Sequence, residues 1–238
     1  MRYLTAAFLA LFLFGVLPLY AADLSDLTYT TTNSEVTITD CDEAATGELV
    51  IPDTIRGNPV TSIGDRAFYQ CRSLTGITIP DSVTSVGDGA FYFCTSLTSI
   101  TIPDSVTSIG DQVFLFCSSL ASISIGNGVT SIGFGAFDGC TSMTSITIGD
   151  GVTSIEDRAF VGCESLTSIT IPDSVTSIGG QAFLGCTDLS AVTFLGDAPK
   201  AGREVFKGAT HTIYRKPEAK GWRNTWGGRP VMLISEKP

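Results

Sequence analysis

Apolar residues return along this chain with a single period of 23. Phe68, Phe91, Phe114, Phe137, Phe160, Phe183 and Phe206 mark it most plainly, and Cys71, Cys94, Cys117, Cys140, Cys163 and Cys186 keep the same step. Three aliphatic columns follow: Leu74, Leu97, Leu120, Met143, Leu166, Leu189; then Ile77, Ile100, Ile123, Ile146, Ile169, Val192; then Ile79, Ile102, Ile125, Ile148, Ile171, Phe194. A further column is Ile63, Val86, Ile109, Ile132, Ile155, Ile178. The stretch LTSITIPDSVTSIG at 97–110 returns unchanged at 166–179. A fixed period of this length is the signature of a repeat architecture.

Within one unit, SITI alternates polar and apolar residues with β-branching, which predicts a short strand. Pro80, Pro103 and Pro172, or Gly126 and Gly149, then end it, because proline cannot donate to a ladder and glycine weakens one. SVTSI predicts a second short extended run. GDxAFxxC predicts a single helical turn with aspartate as its N-cap. Each unit is therefore one coil of about three sides.

A lone coil cannot bury its apolar residues. Stacked at the strand spacing of about 4.8 Å, each Ile lies over the next Ile and each Phe over the next Phe. At roughly 1.5–3 kcal/mol per large buried side chain, continuous columns can offset the chain entropy. The expected fold is a β-rich α/β solenoid of 23-residue coils, with a parallel sheet on one flank and short helical turns elsewhere.

The unit resembles the BspA-like subclass of leucine-rich repeat, whose hallmark IPxSVTSIGxxAFxxCxxL stands here as IPDSVTSVGDGAFYFCTSL at 79–97. Near-copies cover about 49–209. The resemblance implies a right-handed leucine-rich-repeat superhelix. It also implies a surface protein of the kind that binds host or matrix components. Repeats over 126–163 exchange proline for glycine, and Phe134 and Gly180 replace the usual aspartate.

The ends depart from the period, as terminal repeats must to cover an apolar stack. Residues 23–48 form an N-terminal cap with a predicted hairpin around Asn33-Ser34, and 51–64 are a first unit with a five-residue insertion. About seven units then fill 49–209. Beyond them Ala209 replaces cysteine, Thr212 replaces leucine, and 210–238 form a C-terminal capping segment. Tyr214, Trp222 and Trp226 are expected to cap the last coil, with carbohydrate stacking as the alternative for the tryptophans.

The first 22 residues read differently. Arg2 precedes an apolar run from Tyr3 to Tyr20, closed by Ala21 and Ala22 before Asp23. This is the layout of a secretory signal peptide, and Pro18 with the small residues behind it favours cleavage over a permanent anchor. No later stretch is long and apolar enough to span a bilayer. The expected location is secreted, cell-surface or periplasmic, and the expected state a monomer.

The formal net charge of −10 argues against nucleic acid. It is unevenly spread: residues 22–198 hold 4 basic and 21 acidic residues, while nine of the 14 basic residues follow residue 198. The basic end is expected to be a differently charged cap; a second partner site is the alternative.

Seven cysteines in an exported chain invite disulfides. Six share one column, however, so their side chains point the same way at successive levels and are expected to be buried free thiols acting as small apolar residues. Cys41 lies outside the column. Nothing has zinc-site spacing, and His211 is the single histidine, so neither a metal nor a nucleophilic dyad is expected. Asp81, Asp104, Asn127, Asp150 and Asp173 should stack, and each is expected to bond its own turn. Ca²⁺ attraction is the alternative. Asp65, Asp88, Asp111 and Asp157 are expected to be helix-turn caps. Identical carboxylates at every level suit acid–base catalysis poorly, because the two roles must differ. No cofactor is expected, and an enzyme ranks last.

What remains is the outer face of the predicted sheet. Ser99, Thr101, Ser122, Ser124, Ser145, Thr147, Ser168, Thr170 and Thr193 alternate with the inward isoleucines. This face lacks aromatics and arginine. It suits many weak contacts with a repetitive protein or glycan partner, so that avidity comes from number. Hydroxyls that merely keep a strand soluble are the plain alternative. An ice-binding or purely structural array is the second, with Gly76 and Ala191 counting against it.

Overall fold

The computed structural model describes residues 22–236. The expected signal peptide, apart from its last residue, lies outside the described residues.

The chain is a β-solenoid. Strands Ser73–Thr78, Ser99–Ile102, Ser122–Ile125 and Ser145–Thr147 pair in parallel on one flank, and the ladder resumes at Ser168–Ile171, Ala191–Phe194 and Thr212–Arg215. Pairing advances by one repeat each time, with Ile100 opposite Ile123 and Ile123 opposite Ile146. Two-residue strands such as Ser85–Val86 and Ser108–Ile109 build a second flank.

The Phe column runs through the core. Successive rings from Phe68 to Phe206 lie 5.0–5.4 Å apart and are close to parallel. The six column cysteines are all 0% exposed, and all seven cysteines are free thiols. Each thiol also does more than fill space. The Sγ–H groups of Cys94, Cys117, Cys140, Cys163 and Cys186 donate to the Phe carbonyl of the preceding coil at 3.0–3.3 Å. At the first level, Cys71 donates to the carbonyl of Cys41 at 3.8 Å. Cys41 thus extends the column by one step through its backbone. Burial holds the Cys140 and Cys163 thiols well above the usual range and pushes Cys186 up to about 12.

The third side corrects one expectation. GDxAFxxC forms consecutive tight turns and no helix; the described helix is limited to the 3-10 segments Leu24–Asp26 and Ile234–Glu236. Left-handed residues interrupt each unit twice, at Arg66 and Gln70 in the first coil. This frees alternate N–H groups to bond the next coil: those of Arg66, Phe68 and Gln70 donate to the carbonyls of Asp88, Ala90 and Tyr92 at 2.7–2.9 Å. A helical turn would instead point these N–H groups along its own axis, toward its N-terminus, and not across to the next coil.

The aspartates are corrected for the same reason. They neither cap a helix nor close their own turns. Asp65 and Asp88 accept the backbone N–H one repeat later, from Asp88 at 2.9 Å and Asp111 at 2.8 Å. Asp104 accepts from Asn127 at 2.7 Å, and Asn127 from Asp150 at 3.0 Å. The Asp65 column is a set of rungs between coils throughout, and the Asp81 column is one at Asp104 and Asn127.

At the front, Leu27–Thr32 and Glu35–Cys41 pair antiparallel around Asn33 (φ 52°) and Ser34 (φ 64°). Positive φ at both central residues matches the twist of a two-residue hairpin. The insertion in the first unit makes a second small hairpin, Thr54–Ile55 against Asn58–Ile63. At the back, the period slips by two. Thr212 pairs with Ala191, so it continues the Ser/Thr column and does not replace leucine. Trp222 and Trp226 pack on Phe194 at 4.9 and 5.1 Å, and their indole N–H groups donate to Gly196 and Pro199. Tyr214 lies within the strand that pairs with the last full coil.

Candidate functional site

The parallel strands carry the predicted face. Ser99, Thr101, Ser122, Ser145, Thr147, Ser168 and Thr170 are exposed and Ser124 half-buried. Thr193 departs from them: it is 6% exposed. The two-residue slip places Tyr214 directly beside it, on the same side of the sheet. An aromatic residue thus closes one end of a face that the 23-residue register had left without one. The signal available in the sequence was the shortened spacing after Phe206.

Across the first coils the face forms a shallow trough of about 640 Å3, floored by Ser99, Thr101, Ser122, Ser124 and Thr147, with Glu48 at one end. A neighbouring depression of about 600 Å3 runs along the strand ends past Asp81, Asp104, Asn127 and Asp150. The trough is therefore hydroxyl-rich with an acidic rim.

One threonine column elsewhere in the coil is used internally. Thr84, Thr107, Thr130, Thr153 and Thr176 each donate to the carbonyl one repeat earlier, at 3.1–3.4 Å. Ser105 and Ser174 donate to Val83 and Val152. The side chains of Ser99, Thr101, Ser122, Ser124, Ser145 and Thr147 take part in no hydrogen bond among the described residues. The fold does not use them, and their donors and acceptors face outward.

Among the described residues no three His, Cys, Asp or Glu side chains converge as a metal site. His211 is buried against Phe206, centroids 4.1 Å apart, and neither ring nitrogen has a partner. Burial, with the Arg229 charge adding to it, pushes its pKa down to about 4. It packs as a neutral ring at the C-terminal end, away from the trough. No described helix is long and apolar enough to cross a membrane.

These coils match a known family. Residues 47–166 and 117–216 match the BspA type leucine-rich repeat region in six copies, and the chain belongs to that family. Among solved structures it is similar to a leucine-rich repeat protein of T. pallidum, at 29% identity and a TM-score of 0.72, over 79% of this chain and 89% of that one. A leucine-rich repeat protein from Eubacterium ventriosum matches at 28% identity and a TM-score of 0.66, over 84% of this chain and 54% of that one. No curated protein matches. Leucine-rich repeat proteins are generally non-catalytic, and those of the BspA type are typically found at the cell surface.

Proposed function

We propose that this protein is an exported, non-catalytic interaction module that binds a repetitive protein or glycan partner through its Ser/Thr trough. The observation that carries this reading is the contrast between the two hydroxyl sets. Thr107 and its column are consumed by the fold, whereas Thr101, Ser122, Ser124 and Thr147 are left free on a shallow surface. Equivalent hydroxyls at successive coils offer equivalent weak contacts, and these add up on a polymeric ligand. Family membership supports an adhesive role at a cell surface.

An ice-binding array is a poorer fit. The strand ladder lapses between Ser145–Thr147 and Ser168–Ile171, and Tyr214 interrupts the hydroxyl column.

The test is a combined array of glycans and matrix proteins probed with the purified protein. Binding is expected, and alanine at Ser99, Thr101, Ser122, Ser124, Ser145 and Thr147 together should abolish it. Binding that survives those replacements places the site elsewhere.

A further inference from the structure

The outer ridge on the turn side carries residues that the repeat does not require. The position before the column cysteine is left-handed in successive coils, and glycine fills it in the later ones: Gly139 (φ 77°), Gly162 (φ 67°), Gly185 (φ 74°) and Gly208 (φ 85°). The coils of Phe91 and Phe114 place Phe93 (φ 62°) and Phe116 (φ 57°) there instead. Such backbone is free for glycine and strained for a bulky side chain. Core burial does not explain the exchange, since Phe116 is 40% exposed. Gln70 (φ 61°) meets the same backbone demand in the first coil, so what Phe93 and Phe116 add at this position is the aromatic side chain and not the turn.

The rings form one surface. Phe93 stacks on Tyr92 at 4.5 Å and on Phe116 at 5.2 Å, and Tyr69 meets Tyr92 edge-on at 5.5 Å. Arg66 stands over the Tyr69 ring and Arg72 over the Phe93 ring, each at 5.9 Å. These are two of only four cations between residues 22 and 198. Among the described residues neither guanidinium pairs with a carboxylate. The Phe116 ring also fills the space that a Cβ on Gly139 would occupy, so the shelf continues onto the next coil.

We infer that this ridge is a docking site for a segment of another protein that carries apolar side chains beside carboxylates. Phe93 and Phe116 are the anchors, and Arg66 and Arg72 donate to the carboxylates. Aromatic residues with arginine are the composition of an interface hot spot. Within an otherwise acidic body these two guanidiniums have no carboxylate partner among the described residues, Arg72 donating instead to the Gln70 side-chain oxygen at 3.0 Å, so this ridge is the place on the body that favours a carboxylate. Phe93 is stacked with both Tyr92 and Phe116, and Arg72 also stands over its ring, so its faces are already occupied. A pyranose needs a free ring face, whereas the electropositive edges suit carboxylates and apolar contacts.

The test titrates the purified protein with short fluorescent peptides that alternate phenylalanine or leucine with aspartate, and with the same peptides carrying asparagine for aspartate. The acidic set should bind. Asparagine peptides, or Arg66→Ala with Arg72→Ala, should bind more weakly by about tenfold or more. Phe93→Gly with Phe116→Gly should abolish binding with an unchanged or higher Tm, because later coils carry glycine there. Alanine replacements across the Ser/Thr trough should leave peptide binding intact, which separates this site from the proposed glycan or protein trough. The inference is overturned if neither set binds, if both bind equally, or if binding survives the glycine variant. A large drop in Tm would mark the rings as packing only. Glycan binding lost in the glycine variant would assign the ridge to carbohydrate, and self-association lost in it would assign the ridge to a second copy of this chain.

Discussion

The Cys117 thiol donates to the carbonyl oxygen of Phe91, 3.0 Å away and 26 residues earlier. The same carbonyl accepts the backbone N–H of Cys94 at 3.2 Å. The cysteine column thus ties each coil to its predecessor from inside the core. Replacing Cys117 by alanine removes a hydrogen bond and opens a small void, and should lower stability by about 1–3 kcal/mol. Urea unfolding measures it. Buried thiols of raised pKa should also resist alkylation at pH 8 in the native protein, and all seven should react once it is denatured.

Phe137 lies between Phe114 at 5.4 Å and Phe160 at 5.2 Å and is 1% exposed. Phe137→Ala should cost about 3–5 kcal/mol, and Phe137→Leu distinctly less, because only the alanine leaves a large cavity. Denaturant midpoints of the two variants decide it. An alanine cost below about 1 kcal/mol would contradict the continuous ring stack.

Asp104 and Asn127 perform the same task with different side chains, each accepting an N–H from the next coil. Asp104→Asn should therefore be tolerated within about 0.5 kcal/mol, while Asp104→Ala should cost about 0.5–1.5 kcal/mol. Thermal unfolding of both variants at neutral pH gives the comparison.

The 23-residue columns made the core legible: the stacked phenylalanines, the inward isoleucines and the parallel strands all follow from side-chain spacing. Hydrogen-bond direction was not legible. A single turn of GDxAFxxC has the composition of a capped helix. Only the left-handed backbone at Arg66 and Gln70, residues with no strong preference for it, turns those N–H groups toward the next coil. Of the face, Ser99 through Thr170 were placed by alternation alone. Thr193 was placed on the same face, but its burial was not legible, because a two-residue deletion beyond it moves Tyr214 into its column. Tyr92, Phe93 and Phe116 stood in positions that vary from coil to coil, so no column flagged them.

His211 gives the stability a pH dependence of known sign. Its pKa falls from 6.5 to about 4 on folding, so the unfolded chain takes up the proton first. The stability tied to the neutral ring is complete above about pH 6.5 and is lost as pH falls toward about 4. The Tm of the wild-type protein should therefore drop more between pH 7 and pH 4.5 than that of His211→Leu. Equal drops would show that the imidazole titrates normally.

Because Ser99 meets Ser122 and Ser122 meets Ser145 at a constant offset, these central coils present the same upper and lower edge. A gene segment encoding one whole coil can then be duplicated or deleted with both cut edges still complementary. Such a chain can gain or lose reach by recombination, in steps of one strand spacing, without a new folding problem to solve.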